Sequence, residues 1–122
     1  MSSVKSLDRA FKVDRAINNA SKNFVIIRFV DRGYSDSGKV TDWVAYYSRI
    51  LSFFSDIYEV EKKDVPEHVA RYSLSDPDTI LFFYKGSAVY RLSTSEILTT
   101  MNSKDFFDTT FEIMSKVLQP RR

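Results

Sequence analysis

Several residues in this 122-residue chain are of types that do chemistry, and their company limits what that chemistry is. Tyr34-Ser35-Asp36-Ser37 sets hydroxyls and a carboxylate directly ahead of a helical stretch. Oxygens placed there accept hydrogen bonds from the open N–H groups of a helix start, so the cluster reads as a helix cap. Glu59, Glu61, Asp64 and Glu67 bracket the end of a strand, as a metal site or an acid–base pair would require. Lys62 and Lys63 interleave them, which makes the stretch a solvated loop of mixed charge. His68 is the one histidine, which argues against a histidine metal site or a Ser/His/Asp triad. It is expected to face solvent or to bond locally. The chain has no cysteine at all, which excludes disulfides, zinc–thiolate sites, iron–sulfur clusters and thiol nucleophiles. No catalytic, cofactor-binding or metal-binding residue is expected.

Composition narrows the choice of partners. Lys and Arg exceed Asp and Glu by two charges, too mild a surplus to describe a phosphate-neutralising surface. Lys104, Lys116, Arg121 and Arg122 gather toward the end of the chain, where they also complement a helix C-terminus. Ten Phe, seven Tyr and one Trp supply ample core volume, and most must be buried. Rings left exposed among Tyr46, Phe53, Tyr72, Tyr84 and Tyr90 could stack on bases, but no RNP-type signature accompanies them. RNA contact is therefore expected to be incidental. No apolar run approaches the roughly 18 residues a membrane helix needs, and no signal-type segment opens the chain. The expectation is an intracellular protein, one domain over residues 1–122, with no membrane and no small-molecule substrate.

The elements that must position these residues follow from periodicity. Val13, Ala16, Ile17 and Ala20 predict a short helix over about 12–20; Leu7, Ala10 and Phe11 either extend it backward or form a separate extended segment. Phe24 to Val30 is a β-branched and aromatic run, apolar on both faces, as a central doubly covered strand is. Val40, Trp43, Val44, Tyr47, Ile50, Leu51 and Phe54 keep helical spacing over about 38–54, with Tyr46 and Phe53 off the stripe. Asp56 to Glu61 alternates as a strand, and Pro66 opens a short helix over 66–72. Thr79–Tyr84 and Ala88–Leu92 flank a Lys85-Gly86-Ser87 turn as a hairpin. Ser103 is the expected N-cap of a last helix whose core stripe is Phe107, Phe111, Met114 and Leu118. Alternation ending in a hairpin and a helix predicts an α/β protein of thioredoxin-like order, with a central mixed sheet of four to five strands and helices on both faces.

Particular motifs then carry a family resemblance. Phe11-Lys12-Val13-Asp14-Arg15-Ala16-Ile17, Val25-Ile26-Ile27-Arg28-Phe29, Ile57-Tyr58-Glu59-Val60, Asp64-Val65-Pro66-Glu67 and Asp76-Pro77-Asp78-Thr79-Ile80-Leu81-Phe82-Phe83 occur in unbroken order. Together they resemble the DIM family of spliceosomal thioredoxin-like proteins over residues 11–92, and more loosely in the last helix. The resemblance places family cysteines at Ser37 and Asp78, and the family's Gly/Asn-rich loop at Ser93-Thr94-Ser95-Glu96. The chain stops at Arg121-Arg122 where relatives continue into a basic tail. It is identified as a divergent member lacking both cysteines and the tail.

The resemblance implies a non-catalytic scaffold of the U4/U6.U5 tri-snRNP, acting in the nucleus in pre-mRNA splicing through contacts with large snRNP proteins, and monomeric outside the complex. Val65-Pro66 and Asp76-Pro77-Asp78-Thr79 favour the main tri-snRNP branch over its paralogue. Tyr34, Ser37, Pro77 and Asp78 become degenerate redox positions: hydroxyls cannot undertake thiol–disulfide exchange. The fold's proline implies a cis Asp76–Pro77 bond. The surface around Tyr34, Ser37 and Pro77 either docks a protein or is a retained structural turn. Tyr34, Tyr46, Phe53, Tyr72, Arg121 and Arg122 are the candidate docking residues. Two rivals share the fold: a phosducin-like adaptor of chaperone or signalling complexes, and a cysteine-free transferase or peptide-binding enzyme. The enzyme requires a pocket with convergent polar groups, whereas a scaffold requires an exposed aromatic patch.

Overall fold

The computed structural model describes residues 4–31, 33 and 37–119, with Ser37 described in its backbone alone. The elements run β1 (Val4–Leu7), α1 (Ala10–Asn18), β2 (Phe24–Val30), α2 (Ser37–Leu51), β3 (Ser55–Glu61), a 3₁₀ turn (Lys62–Asp64), α3 (Pro66–Arg71), β4 (Thr79–Tyr84), β5 (Ser87–Ser93), α4 (Thr94–Thr100) and α5 (Ser103–Leu118). The five strands form one sheet in the order β1-β3-β2-β4-β5. The first three lie parallel, and β4 and β5 are antiparallel to their neighbours. The open segment at Leu7 is thus a strand, because its N–H and C=O groups find a partner in β3.

Central position explains β2, all seven of whose residues are buried. On one face, Ile26, Val44, Leu51, Phe82, Phe106 and Ile113 join in a core under α2, α4 and α5. On the other, Val13, Ile17, Val25, Ile27, Phe29 and Leu81 pack beneath α1 and α3. Tyr84 to Ser87 reverses through Lys85 and Gly86, both at positive φ, +52° and +83°; glycine takes the second without a Cβ penalty.

Three local expectations shift. The segment from Thr94 is a helix capped by Ser93, whose Oγ accepts from Glu96 N. The last helix is capped by Asn102, not Ser103, through a reciprocal pair in which Asn102 Oδ1 accepts from Asp105 N and Asp105 Oδ2 from Asn102 N. Ser103 Oγ instead bonds Tyr47 Oη at 3.1 Å. The buried stripe of that helix is Phe106, Thr110, Ile113 and Met114; Phe107 and Phe111 are half-buried and Leu118 is exposed. With Phe at both 106 and 107, periodicity alone leaves the helix phase ambiguous, and packing against α2 and the sheet resolves it.

Candidate functional site

In open α/β sheets, ligands and active-site groups gather beyond the carboxyl ends of the parallel strands. Here that end holds an internal ion pair. Arg28 of β2 is 1% exposed and Asp78, one residue ahead of β4, is 0% exposed. Arg28 Nε donates to Asp78 Oδ1 at 3.0 Å and Nη2 to Oδ2 at 2.5 Å, a two-pronged contact that suits a planar guanidinium. Its Nη1 donates to Thr41 Oγ1 on α2 and reaches Glu59 Oε2 of β3 at 3.4 Å. One cation therefore ties β2, β3, α2 and the entry to β4. Asp78 is held a second time through its carbonyl, which accepts from Thr94 N at 2.9 Å. A lone arginine inside an otherwise apolar strand was the sequence signal for this arrangement, because a buried cation must find a carboxylate.

The Asp76–Pro77 bond is trans, which corrects the cis expectation. Trans is the lower-energy isomer by about 0.5–1 kcal/mol. The segment is secured otherwise: Lys62 Nζ donates to Asp76 O at 2.7 Å, and Arg28 draws Asp78 inward. Pro77 is half-buried and Asp78 offers no side-chain surface. Tyr34, the side chain of Ser37, Arg121 and Arg122 lie outside the described residues. A shallow groove of about 270 Å³ beside this end is lined by Asp31, Glu61, Lys62 and Lys63, with Lys63 paired to Glu61 at 3.2 Å. The acidic residues in and after β3 do not converge: Glu59 turns toward Arg28, while Asp64 and Glu67 face solvent.

His68 corrects a second expectation. It is 0% exposed, and its partner is 54 residues away. Nε2 lies 2.8 Å from Asp14 Oδ1, joining α3 to α1. The hydrogen bond from His68 holds the Asp14 carboxyl below its ordinary pKa against the opposing effect of burial, helped by the nearby Arg71 charge. An ionised carboxylate only accepts, so Nε2 carries the proton. Tyr72, an expected docking residue, belongs to the same interior: its ring packs near Phe29, Phe83 and His68 and is half-buried.

The two most exposed rings among the described residues lie on α2 and the turn after it, while Phe11, Val89, Tyr90 and Leu118 are exposed elsewhere. Tyr46 is 75% exposed and Phe53 73%, with Ile50 at 46% and Phe54 at 39% beside them. Spacing of four and then three or four residues puts them on one flank. A ladder of rings supports them from behind. Tyr46 meets Tyr47 edge-on at 4.8 Å, Tyr47 stacks on Phe107 at 4.4 Å, Phe107 meets Phe111 at 4.8 Å, and Phe111 meets Phe54 at 5.4 Å. Two of the expected docking residues, Tyr46 and Phe53, are thus both exposed. Ile50 and Phe54, which helical spacing had assigned to the core, are partly exposed as well, although Phe54 still meets Phe111 of α5.

Comparison with known proteins agrees with this geometry. Thioredoxin from Plasmodium falciparum superposes with a TM-score of 0.73 at 16% identity, covering 89% of this chain and 96% of that one. Fasciola hepatica thioredoxin gives 0.72 at 18% identity, covering 88% and 97%. At such identities the likeness is one of fold. In sequence, the chain is 34% identical over 83 residues to spliceosomal protein DIB1 of Eremothecium gossypii. That alignment takes in 65% of this chain and 55% of that protein, so the chain spans little more than half the length of this relative. The profile of the family described as mitosis protein DIM1 matches residues 3–114. A thioredoxin-like sheet with Arg28 and Asp78 paired in its interior, matched by that profile over residues 3–114, makes this chain a member of the DIM1 family.

Proposed function

We propose that the chain is a non-catalytic scaffold protein of the spliceosome, residing in the nucleus within the U4/U6.U5 tri-snRNP and acting through contacts with large snRNP proteins. The observation that carries this reading is the ring-bearing flank of α2, Tyr46, Ile50, Phe53 and Phe54, held open by the aromatic ladder behind it. Exposed apolar patches of this kind are docking surfaces. Family membership and the spliceosomal relative support the assignment to splicing. The cysteine-free sequence supports the non-catalytic part, since no thiol is available for exchange, and Asp78, one of the degenerate redox positions, is buried against Arg28.

Affinity purification of the tagged protein from its native cells, followed by sequencing of the co-purifying small RNAs, tests the reading. Joint enrichment of U4, U5 and U6 RNAs is expected. A stable protein partner without those RNAs overturns the splicing assignment in favour of an adaptor role.

A further inference from the structure

The end of the sheet opposite the Arg28–Asp78 pair carries a feature the docking flank leaves unused. The amino ends of β1, β2 and β3 meet the β4–β5 turn there. Two grooves open side by side and share Lys22. One, of about 350 Å³, has Asn18, Asn23, Tyr84 and Lys85 in its walls. The other, of about 390 Å³, has Lys5, Ser21, Ser52 and Tyr58. Each falls within the roughly 300–1,000 Å³ of a small-ligand site.

The charges in these grooves are unspent. Lys5, Lys22 and Lys85 are exposed, and none forms an ion pair among the described residues. Elsewhere Lys12, Lys63, Lys104 and Lys116 each meet a carboxylate at 2.9–3.7 Å. The one carboxylate among the described groove residues, Asp56, is taken by Ser21, whose N and Oγ both donate to it at 2.8 Å. Lys85 Nζ lies 5.3 Å from the centre of the Tyr84 ring, so cation and ring face the same space. Gly86, at φ +83°, adds no side chain at the rim, where a Cβ would approach Asn18 Oδ1.

We propose that these paired grooves bind a short stretch of single-stranded RNA, with Lys5, Lys22 and Lys85 on its phosphates and Tyr58 and Tyr84 against its bases. Lysine is a mobile point charge suited to phosphate. Rings stack on any base, which gives affinity without sequence preference. The Asn18 and Asn23 amides offer donor and acceptor together, as base edges require. An acidic peptide would engage the lysines and leave the rings and amides without a task. The inference stands apart from the docking flank, since a purified binding assay contains no other protein.

The test is fluorescence anisotropy of a labelled octauridine RNA with the purified chain across a salt series. Three phosphate contacts at about 0.7 each predict a log–log slope near −2, so binding weakens by about 20-fold between 50 and 200 mM salt. K5Q/K22Q/K85Q is expected to abolish binding at 50 mM while its circular-dichroism melt stays unchanged, because all three side chains are exposed. K104Q/K116Q is expected to bind as the parent does. Equal binding by the parent and the triple variant overturns the proposal. So does displacement of the RNA by an equimolar polyglutamate peptide, which would reassign the grooves to an acidic protein.

Discussion

At the carboxyl ends of β2 and β3, Arg28, Asp78 and Glu59 are folded toward the interior and bonded to one another, while on the flank of α2 Tyr46 and Phe53 stand in solvent. Charge lies inside and aromatic surface outside, the reverse of the usual arrangement. Two buried ions cost several kcal/mol each to desolvate and are offset only by close geometry. Exposed rings forgo about 25 cal/mol for each Å² left uncovered. The first departure sets a charge pair in the interior near the carboxyl end of β2, and the second leaves rings uncovered on a flank of α2.

The largest effect should come from breaking the buried pair. Asp78→Ala removes the two-pronged carboxylate partner of a buried guanidinium, and a loss of about 3–5 kcal/mol in urea unfolding is expected. Arg28→Met with Asp78→Leu together should recover most of that loss, since the charge is removed along with its partner. A loss under about 1 kcal/mol for Asp78→Ala would mean that the pair is not what holds this end.

Next in size is Asp14→Asn. His68 Nδ1 already has no partner among the described residues, and weakening the Nε2 contact should cost about 1–3 kcal/mol. The folded-state pKa of Asp14 is lowered, so the stability it confers is present above the ordinary carboxylate range near 4 and fades as pH falls through the lower folded value. Parent and variant should therefore converge in melting temperature below about pH 4. A constant gap across pH would show that the contact is not charge-dependent.

Smaller again is Asn102→Ala, which removes the reciprocal cap of α5 and should cost about 1 kcal/mol. The smallest stability effect belongs to the open flank. Tyr46→Ser with Phe53→Ser should stay within about 0.5 kcal/mol of the parent while reducing recovery of bound proteins in the purification. Parallel loss of stability and recovery would make these rings part of the core and erase the contrast between the two regions.

Much of the frame was legible in local pattern. Phe24–Val30 and Thr79–Tyr84 announced doubly covered strands, and Lys85-Gly86 announced its turn. The motif order from Phe11 to Phe83 was sufficient for the family. What pattern could not resolve were choices between near neighbours: Asn102 against Ser103 as cap, Phe106 against Phe107 as core, and α4 in a stretch of hydroxyl residues that suits a turn equally well.

The site was legible in half. Tyr46 and Phe53 stood off the helical stripe, which suggested a partly covered second face, and the structure leaves them largely uncovered. The pairing of Arg28 with Asp78, and of His68 with Asp14, did not follow from local pattern, because each pair joins residues 50 or more positions apart. Periodicity and propensity act within a turn or a strand, so the sequence by itself determined the order of the elements apart from β1 and α4, the absence of thiol chemistry and the family. Which charges would be buried together, and which rings would remain uncovered, was decided only when β2, β3, β4 and the helices closed on one another, since desolvation is set by neighbours brought from elsewhere in the chain.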